Sequence, residues 1–176
     1  MRNLSAYRWL PRPLTTRLVP VLAGLALLAT ATTAQAQTPT FAPVVPYSPG
    51  PGSNPISIAV ADVNGDGKPD LLTANYDAST AGVLLGNGNG TFQAVIAYST
   101  GTGSTGTGSN PYSIAVADVN GDGRPDLLTA NYNTGTAGVL LGNGNGTFQA
   151  VVPYSTGLNS NPRSIAVADV IGRAHV

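Results

Sequence analysis

From residue 54 onward the chain alternates branched apolar residues with small or polar ones. Ser57-Ile58-Ala59-Val60-Ala61 has the two-residue period of a strand with one face on a core. Asp70-Leu71-Leu72-Thr73-Ala74-Asn75-Tyr76 and Ala81-Gly82-Val83-Leu84-Leu85 are further short apolar runs. Asn87-Gly88 and Asn89-Gly90 come next, dipeptides that supply positive φ for a tight hairpin. No segment after residue 36 keeps a 3.6-residue apolar period over helical length, so almost no helix is predicted there.

The whole pattern then repeats. Asp62 to Asp118 is 56 residues, Asp118 to Asp169 is 51, and Asn87 to Asn143 is again 56. Each unit carries four short strands, the arithmetic of a β-propeller blade. Labelled A to D from the axis outwards, the strands of blade one fall at 56–62, 70–76, 82–86 and 92–99. Those of blade two fall at 112–118, 126–132, 138–142 and 148–155. The small Ala59, Ala61, Ala115 and Ala117 suit strand A at a crowded axis. Residues 41–48 match strand D and stand alone before blade one; 164–168 match strand A and stand alone after blade two. The predicted fold is all-β: a partial β-propeller of two complete four-stranded antiparallel blades plus orphan strands. Its domains are 37–55 with the orphan outer strand, blade one at 56–99, a Gly/Ser/Thr-rich linker at 100–111, blade two at 112–155, and the truncated start of a third blade at 156–176. At Val170 the repeat calls for Asn-Gly-Asp-Gly, but Ile171-Gly172-Arg173-Ala174 follows. The reading is therefore an N-terminal fragment of a longer protein, interrupted inside blade three, with open edges that favour self-association.

The first 36 residues read as a signal peptide rather than fold. Arg2, Arg8, Arg12 and Arg17 form a basic leader, Leu18 to Ala29 is an apolar run too short for a comfortable membrane span, and Ala34-Gln35-Ala36 is a small-residue cleavage site. Cleavage after Ala36 predicts a secreted chain with no membrane span in its mature form. It also changes the charge. The full chain balances eight basic against eight acidic residues, but the mature part keeps Lys68, Arg124, Arg163 and Arg173 against eight Asp, a formal −4. That sign argues against nucleic acid or anionic membrane as a partner. There is no Cys and no Glu, and the one His is His175. Disulfides, thiolate metal sites and Cys nucleophiles are thereby excluded.

Six of the eight Asp lie in two loops between strands A and B, Asp62-Val63-Asn64-Gly65-Asp66-Gly67-Lys68-Pro69-Asp70 and Asp118-Val119-Asn120-Gly121-Asp122-Gly123-Arg124-Pro125-Asp126. Oxygen-bearing side chains stand at positions 1, 3, 5 and 9, with Gly at position 6. This is how a short loop wraps a hard cation such as Ca²⁺. The predicted ligands are Asp62, Asn64, Asp66, Asp70 and the Lys68 carbonyl, and likewise Asp118, Asn120, Asp122, Asp126 and the Arg124 carbonyl. The Lys68 and Arg124 side chains should point away from the ion, and a loop without one should be loose. An EF-hand would need an acidic residue at position 12, where Thr73 and Thr129 stand, and flanking helices rather than strands. Gly86 to Gly90 lacks the following helix and the Lys of a phosphate-binding loop.

Two motifs, Asp-Val-Asn-Gly-Asp-Gly-x-Pro-Asp-Leu and Val-Leu-Leu-Gly-Asn-Gly-Asn-Gly-Thr-Phe, recur together in order. At these residues, across about 41–170, the chain resembles the FG-GAP, or VCBS-type, repeats of the integrin-alpha-like β-propeller superfamily. The resemblance implies a Ca²⁺-binding propeller, usually of seven blades, on exported adhesion, recognition or carbohydrate-active proteins. The function expected is a non-catalytic module for adhesion or for recognition of a protein or carbohydrate ligand, with Tyr112, Tyr132 and Asn133 as candidate contacts. The alternative is the propeller part of a secreted polysaccharide-active enzyme. A paired-carboxylate mechanism has little to work with, because Asp77 is the one Asp outside the loop repeats.

Overall fold

The computed structural model describes residues 43–103 and 106–168. The predicted signal peptide and cleavage site, residues 41–42 of the predicted orphan outer strand and the predicted interruption of the third loop lie outside them. The chain divides into two units, Met1–Pro43 and Val44–Val176, and both sheets belong to the second.

Eight strands form two four-stranded antiparallel sheets. Blade one is β1 (Pro55–Ala61), β2 (Asp70–Asn75), β3 (Thr80–Leu84) and β4 (Ile96–Ser99), paired in that order. Blade two repeats it with β5 (Pro111–Ala117), β6 (Asp126–Asn131), β7 (Thr136–Leu140) and β8 (Val152–Ser155). No helix occurs among the described residues. The outer strands are shorter than the sequence predicts. Phe92 and Phe148 make only isolated bridges, to Gly86 and Gly142, before pairing resumes at Ile96 and Val152.

Register sorts each blade into two faces, because partners across an antiparallel pair lie on the same side. In blade one, Ala59 lies opposite Leu72 and Leu72 opposite Val83. Ser57, Ala59 and Ala61 therefore share a trailing face with Leu72, Ala74, Ala81 and Val83. The leading face carries Ile58, Val60, Leu71, Thr73 and Leu84. The core forms where the trailing face of blade one meets the leading face of blade two. Leu72, Ala74, Ala81 and Val83 pack there with Ile114, Leu127, Leu140 and Phe148, and Ala59 and Ala61 close against them. Small side chains on β1 let β5 approach β1 and β2. Polar ties repeat at this seam. Ile114 N–H donates to Ser57 Oγ at 3.3 Å, Asn110 Nδ2 to the Tyr76 carbonyl at 3.1 Å, and Asn131 Nδ2 to the Thr100 carbonyl at 2.9 Å. The Tyr98 and Phe148 rings meet edge to face at 5.5 Å.

The two orphan segments dock without joining a sheet. Tyr47 meets Phe92 edge to face at 5.2 Å, and Asn75 Nδ2 donates to the Pro49 carbonyl at 3.1 Å. Ile165 N–H donates to Ser113 Oγ at 3.4 Å, and Asn161 Nδ2 to the Tyr132 carbonyl at 2.9 Å. These are the contacts of strands D and A at the blade seam. Neither 43–48 nor 164–168 is assigned as strand, because no adjacent strand among the described residues satisfies its backbone groups.

Repeat-equivalent positions thus differ in burial: Ile114 is 6% exposed and Ile58 is 61% exposed. In dilute solution Ile114→Ala should lower unfolding free energy by about 2–4 kcal/mol through loss of burial and a cavity. Ile58→Ala should change it by less than about 0.5 kcal/mol. Urea denaturation of the two variants checks the blade order.

Candidate metal centre

Each A–B loop folds back on its own first aspartate. Asp62 Oδ1 accepts the Gly65 N–H at 2.7 Å and the Asp66 N–H at 3.2 Å, and Oδ2 accepts the Gly67 N–H at 2.7 Å. Asp118 receives Gly121, Asp122 and Gly123 at 2.7, 3.2 and 2.8 Å. Two glycines per loop make this possible. Gly65 and Gly67 have φ of 75° and 79°, and Gly121 and Gly123 have 77° and 80°, values that a side chain disfavours. Asn64 Oδ1 accepts the Asp66 N–H at 3.0 Å, and Asp66 Oδ1 accepts the Lys68 N–H at 3.0 Å. Asn120 and Asp122 do the same for the Asp122 and Arg124 N–H groups at 3.0 and 2.9 Å. Each loop is closed by its own backbone amides.

The ninth positions stand apart. Asp70 and Asp126 are fully buried. Asp70 Oδ2 accepts the Val63 N–H at 2.9 Å and Oδ1 the Gly86 N–H at 2.7 Å. Asp126 takes Val119 at 3.0 Å and Gly142 at 2.8 Å. Each carboxylate therefore latches the start of its loop to the exit of strand C. Gly86 and Gly142 are required there: a Cβ on Gly86 would collide with the Pro69 carbonyl oxygen, and one on Gly142 with that of Pro125. Sequence spacing alone grouped Asp70 with the other oxygens, since burial at position 9 depends on the hairpin sixteen residues on.

The basic side chains behave unequally. The Lys68 stem lies over Gly88, but its ammonium turns back to Asp66 Oδ2 at 3.2 Å rather than away from the loop. Both groups are exposed to solvent, which screens the pair, so it adds little to stability. The Arg124 stem lies over Gly144.

The Asp66 carboxyl is held below its ordinary value of 3.8, first by the Lys68 backbone N–H. Asp118 is lowered too, first by the Gly123 N–H and then by Gly121 and Asp122. A depressed carboxylate stabilises the fold when ionised. That contribution is complete above the ordinary value and is lost as pH falls through the lowered one.

By donor chemistry each loop suits a hard cation. Asp62, Asn64 and Asp66 offer side-chain oxygens at the loop, with the Lys68 carbonyl beside them; Asp118, Asn120, Asp122 and Arg124 do likewise. Among the described residues no three carboxylate or imidazole groups converge on one point, consistent with Asp70 and Asp126 being drawn into the blade. Blade two also reaches back to the first loop, where Gly146 N–H donates to the Val63 carbonyl at 3.1 Å.

A second cluster lies where strand A begins. Tyr112 meets Tyr76 at 5.5 Å and Tyr132 at 5.4 Å, and the Arg163 guanidinium sits 5.3 and 5.2 Å from the Tyr112 and Tyr132 rings. Tyr112 and Tyr132 are thus brought together, while the exposed Asn133 donates to Asn110 Oδ1. Arg163 was not foreseen here. Its signal was position x of Asn-Pro-x-Ser, where blade two carries Tyr112.

The profile of the FG-GAP-like repeat matches residues 33–73, 62–129 and 118–172, each match running from one repeat unit into the next. The chain belongs to the FG-GAP-like repeat family. No curated protein matches it. The two FG-GAP-like units described above are four-stranded antiparallel blades of a partial propeller.

Two outcomes test the latch. Asp70→Ala leaves two buried N–H groups unpaired and should lower stability by about 3 kcal/mol or more, whereas Asp66→Ala at the exposed position should leave the unfolding midpoint nearly unchanged without added metal. Urea denaturation separates them. In EDTA, replacing Asp66 and Asp118 by Asn should flatten the fall in stability below pH 4, read as the shift in unfolding midpoint.

Proposed function

We propose that this FG-GAP-like repeat chain is an exported, non-catalytic module for adhesion or recognition, stiffened by one Ca²⁺ at each A–B loop. The observation that carries the reading is the loop itself. Two all-oxygen loops, 56 residues apart, adopt one hydrogen-bond pattern and hold a pair of carboxylates at the surface. Asp62, Asn64, Asp66 and the Lys68 carbonyl would hold the ion in blade one. Asp118, Asn120, Asp122 and the Arg124 carbonyl would hold it in blade two, with water completing six or seven oxygens. Asp70 and Asp126 keep the loop exits in place from inside the blade. The bound cation would relieve repulsion between the surface carboxylates and pin strand A to strand B. Its affinity belongs with extracellular modules, a Kd of about 10⁻⁴–10⁻³ M.

The role is structural rather than chemical. Hydrolysis by a carboxylate pair needs two uncommitted carboxyl groups, and Asp77 is the one Asp outside the loop repeats. Recognition of a neutral polar ligand, a carbohydrate or a peptide backbone, fits the surface better. A concavity of about 580 Å³ is lined by Thr100, Thr102, Asn133, Thr134 and Thr136, side chains that both donate and accept hydrogen bonds.

Calcium titration by calorimetry should find two sites per chain. At about ten times Kd, Ca²⁺ should add about 1.4 kcal/mol per site to unfolding free energy. Asp66→Ala with Asp122→Ala should remove both heats and the Ca²⁺-dependent protection of residues 37–176 from protease. Identical melting and proteolysis in Ca²⁺ and in EDTA would overturn the metal reading.

A further inference from the structure

Resting on the recognition reading above, we propose that the link from β4 to β5 builds a binding site for a neutral carbohydrate at the seam of the two blades. The starting point is a difference between links that are otherwise alike. Between Tyr-Ser and Asn-Pro the chain has five residues at 49–53, ten at 100–109 and five at 156–160. The ten-residue link is nonetheless fastened as 156–160 is. The Thr100 and Thr156 hydroxyls each donate to the β-turn of their own blade, at the Ser79 and Gly135 carbonyls, both at 2.9 Å. Thr100 Oγ1 also meets Ser109 Oγ, as Thr156 Oγ1 meets Ser160 Oγ. Asn110 Nδ2 then donates to the Tyr76 carbonyl, and Asn161 Nδ2 to that of Tyr132. The five added residues thus lie between fixed ends and supply none of these ties. A longer link costs closure entropy. Additions of this kind on a rigid scaffold are where binding groups are carried.

The stem of the addition is held by its own backbone. Thr102 and Gly108 form a bridge, Gly103 N–H donates to the Thr107 carbonyl at 2.7 Å, and Gly106 N–H donates to the Gly103 carbonyl at 2.9 Å. Gly108 brings the stem against blade one, where a Cβ would fall 2.1 Å from Ser79 Oγ. Together the stem and the β6–β7 turn of blade two line the concavity of about 580 Å³. No ionisable side chain lines it, so a charged ligand would find no counter-charge there. Its hydroxyl and amide side chains, among them Thr102, Thr134 and Asn133, both donate and accept, as the hydroxyl groups of a sugar require. Val151 and Pro153 add a small apolar patch that suits the C–H face of a sugar ring. An extended peptide would pair along the sheet edge at β8, but Pro153 supplies no N–H to it there.

Titration calorimetry of the full chain with neutral tetrasaccharides of glucose, mannose and galactose tests this. Tetragalacturonate and hexaglycine serve as the charged and the peptidic comparison. At least one neutral tetrasaccharide should bind, at one site per chain, and neither comparison should match it. Deleting residues 102–106 leaves Thr100-Gly101-Thr107-Gly108-Ser109, a link of five residues like 156–160. That variant should keep the urea unfolding midpoint and bind the sugar at least about tenfold more weakly. Thr102→Val with Thr134→Val keeps side-chain size and removes two hydroxyls, so it should weaken binding at least about fivefold without the deletion. Sugar binding unaltered by the valine substitutions overturns the site, whatever the deletion does, and leaves the recognition reading standing. No heat with any neutral tetrasaccharide overturns the ligand class, and so does tighter binding of tetragalacturonate or hexaglycine.

Discussion

Much of each blade hangs on one buried carboxylate. Asp70 and Asp126 are enclosed, and each takes two backbone N–H groups from opposite ends of the blade, the start of the A–B loop and the exit of strand C. A buried charge is tolerated where directed dipoles replace its water. The geometry allows no spare atom, since glycine at 86 and 142 leaves room for the Pro69 and Pro125 carbonyls. Loop and hairpin therefore form one piece, and the surface oxygens of the loop are presented from a fixed base.

Packing between blades follows a different rule. Strand A carries small residues on one side and branched apolar residues on the other, so each blade has a flat trailing face and a bulky leading face. The seam between blades one and two is one against the other, fixed by a serine hydroxyl, two asparagine side chains and a Tyr–Phe edge contact. Docked segments at both ends of the sheet pair use the same ties. A blade seam of this kind depends on matching faces, small side chains against branched apolar ones.

The loops and the tyrosine cluster divide the surface by chemistry. The loops concentrate negative charge and hydrogen-bond acceptors. The cluster is aromatic and holds Arg163 between Tyr112 and Tyr132. Arg163 belongs to a segment with no sheet partner among the described residues, and its cation–aromatic contacts help fasten that segment to blade two. Aromatic surface that looks available for a ligand is therefore partly spent on holding the repeat together.

The strand–loop–strand order, the hairpins at Asn87-Gly88 and Asn143-Gly144 and the blade as repeating unit were legible in the sequence, because they follow from short-range rules: period-two alternation and the backbone freedom of glycine. The oxygen-rich loops were legible for the same reason. Other features depended on neighbours distant along the chain. Ile58 and Ile114 sit in one motif, yet among the described residues one is open and the other is buried against the neighbouring blade. Asp66 and Asp70 are both acidic loop residues, yet only Asp70 is enclosed by a hairpin and becomes a latch. Residues 41–48 and 164–168 read as strands, but 43–48 and 164–168 are single docked segments with no strand paired to them among the described residues. Local sequence determined what each segment can form, and tertiary contact decided which of its faces and oxygens remain free, because burial is a property of the surroundings and not of the residue.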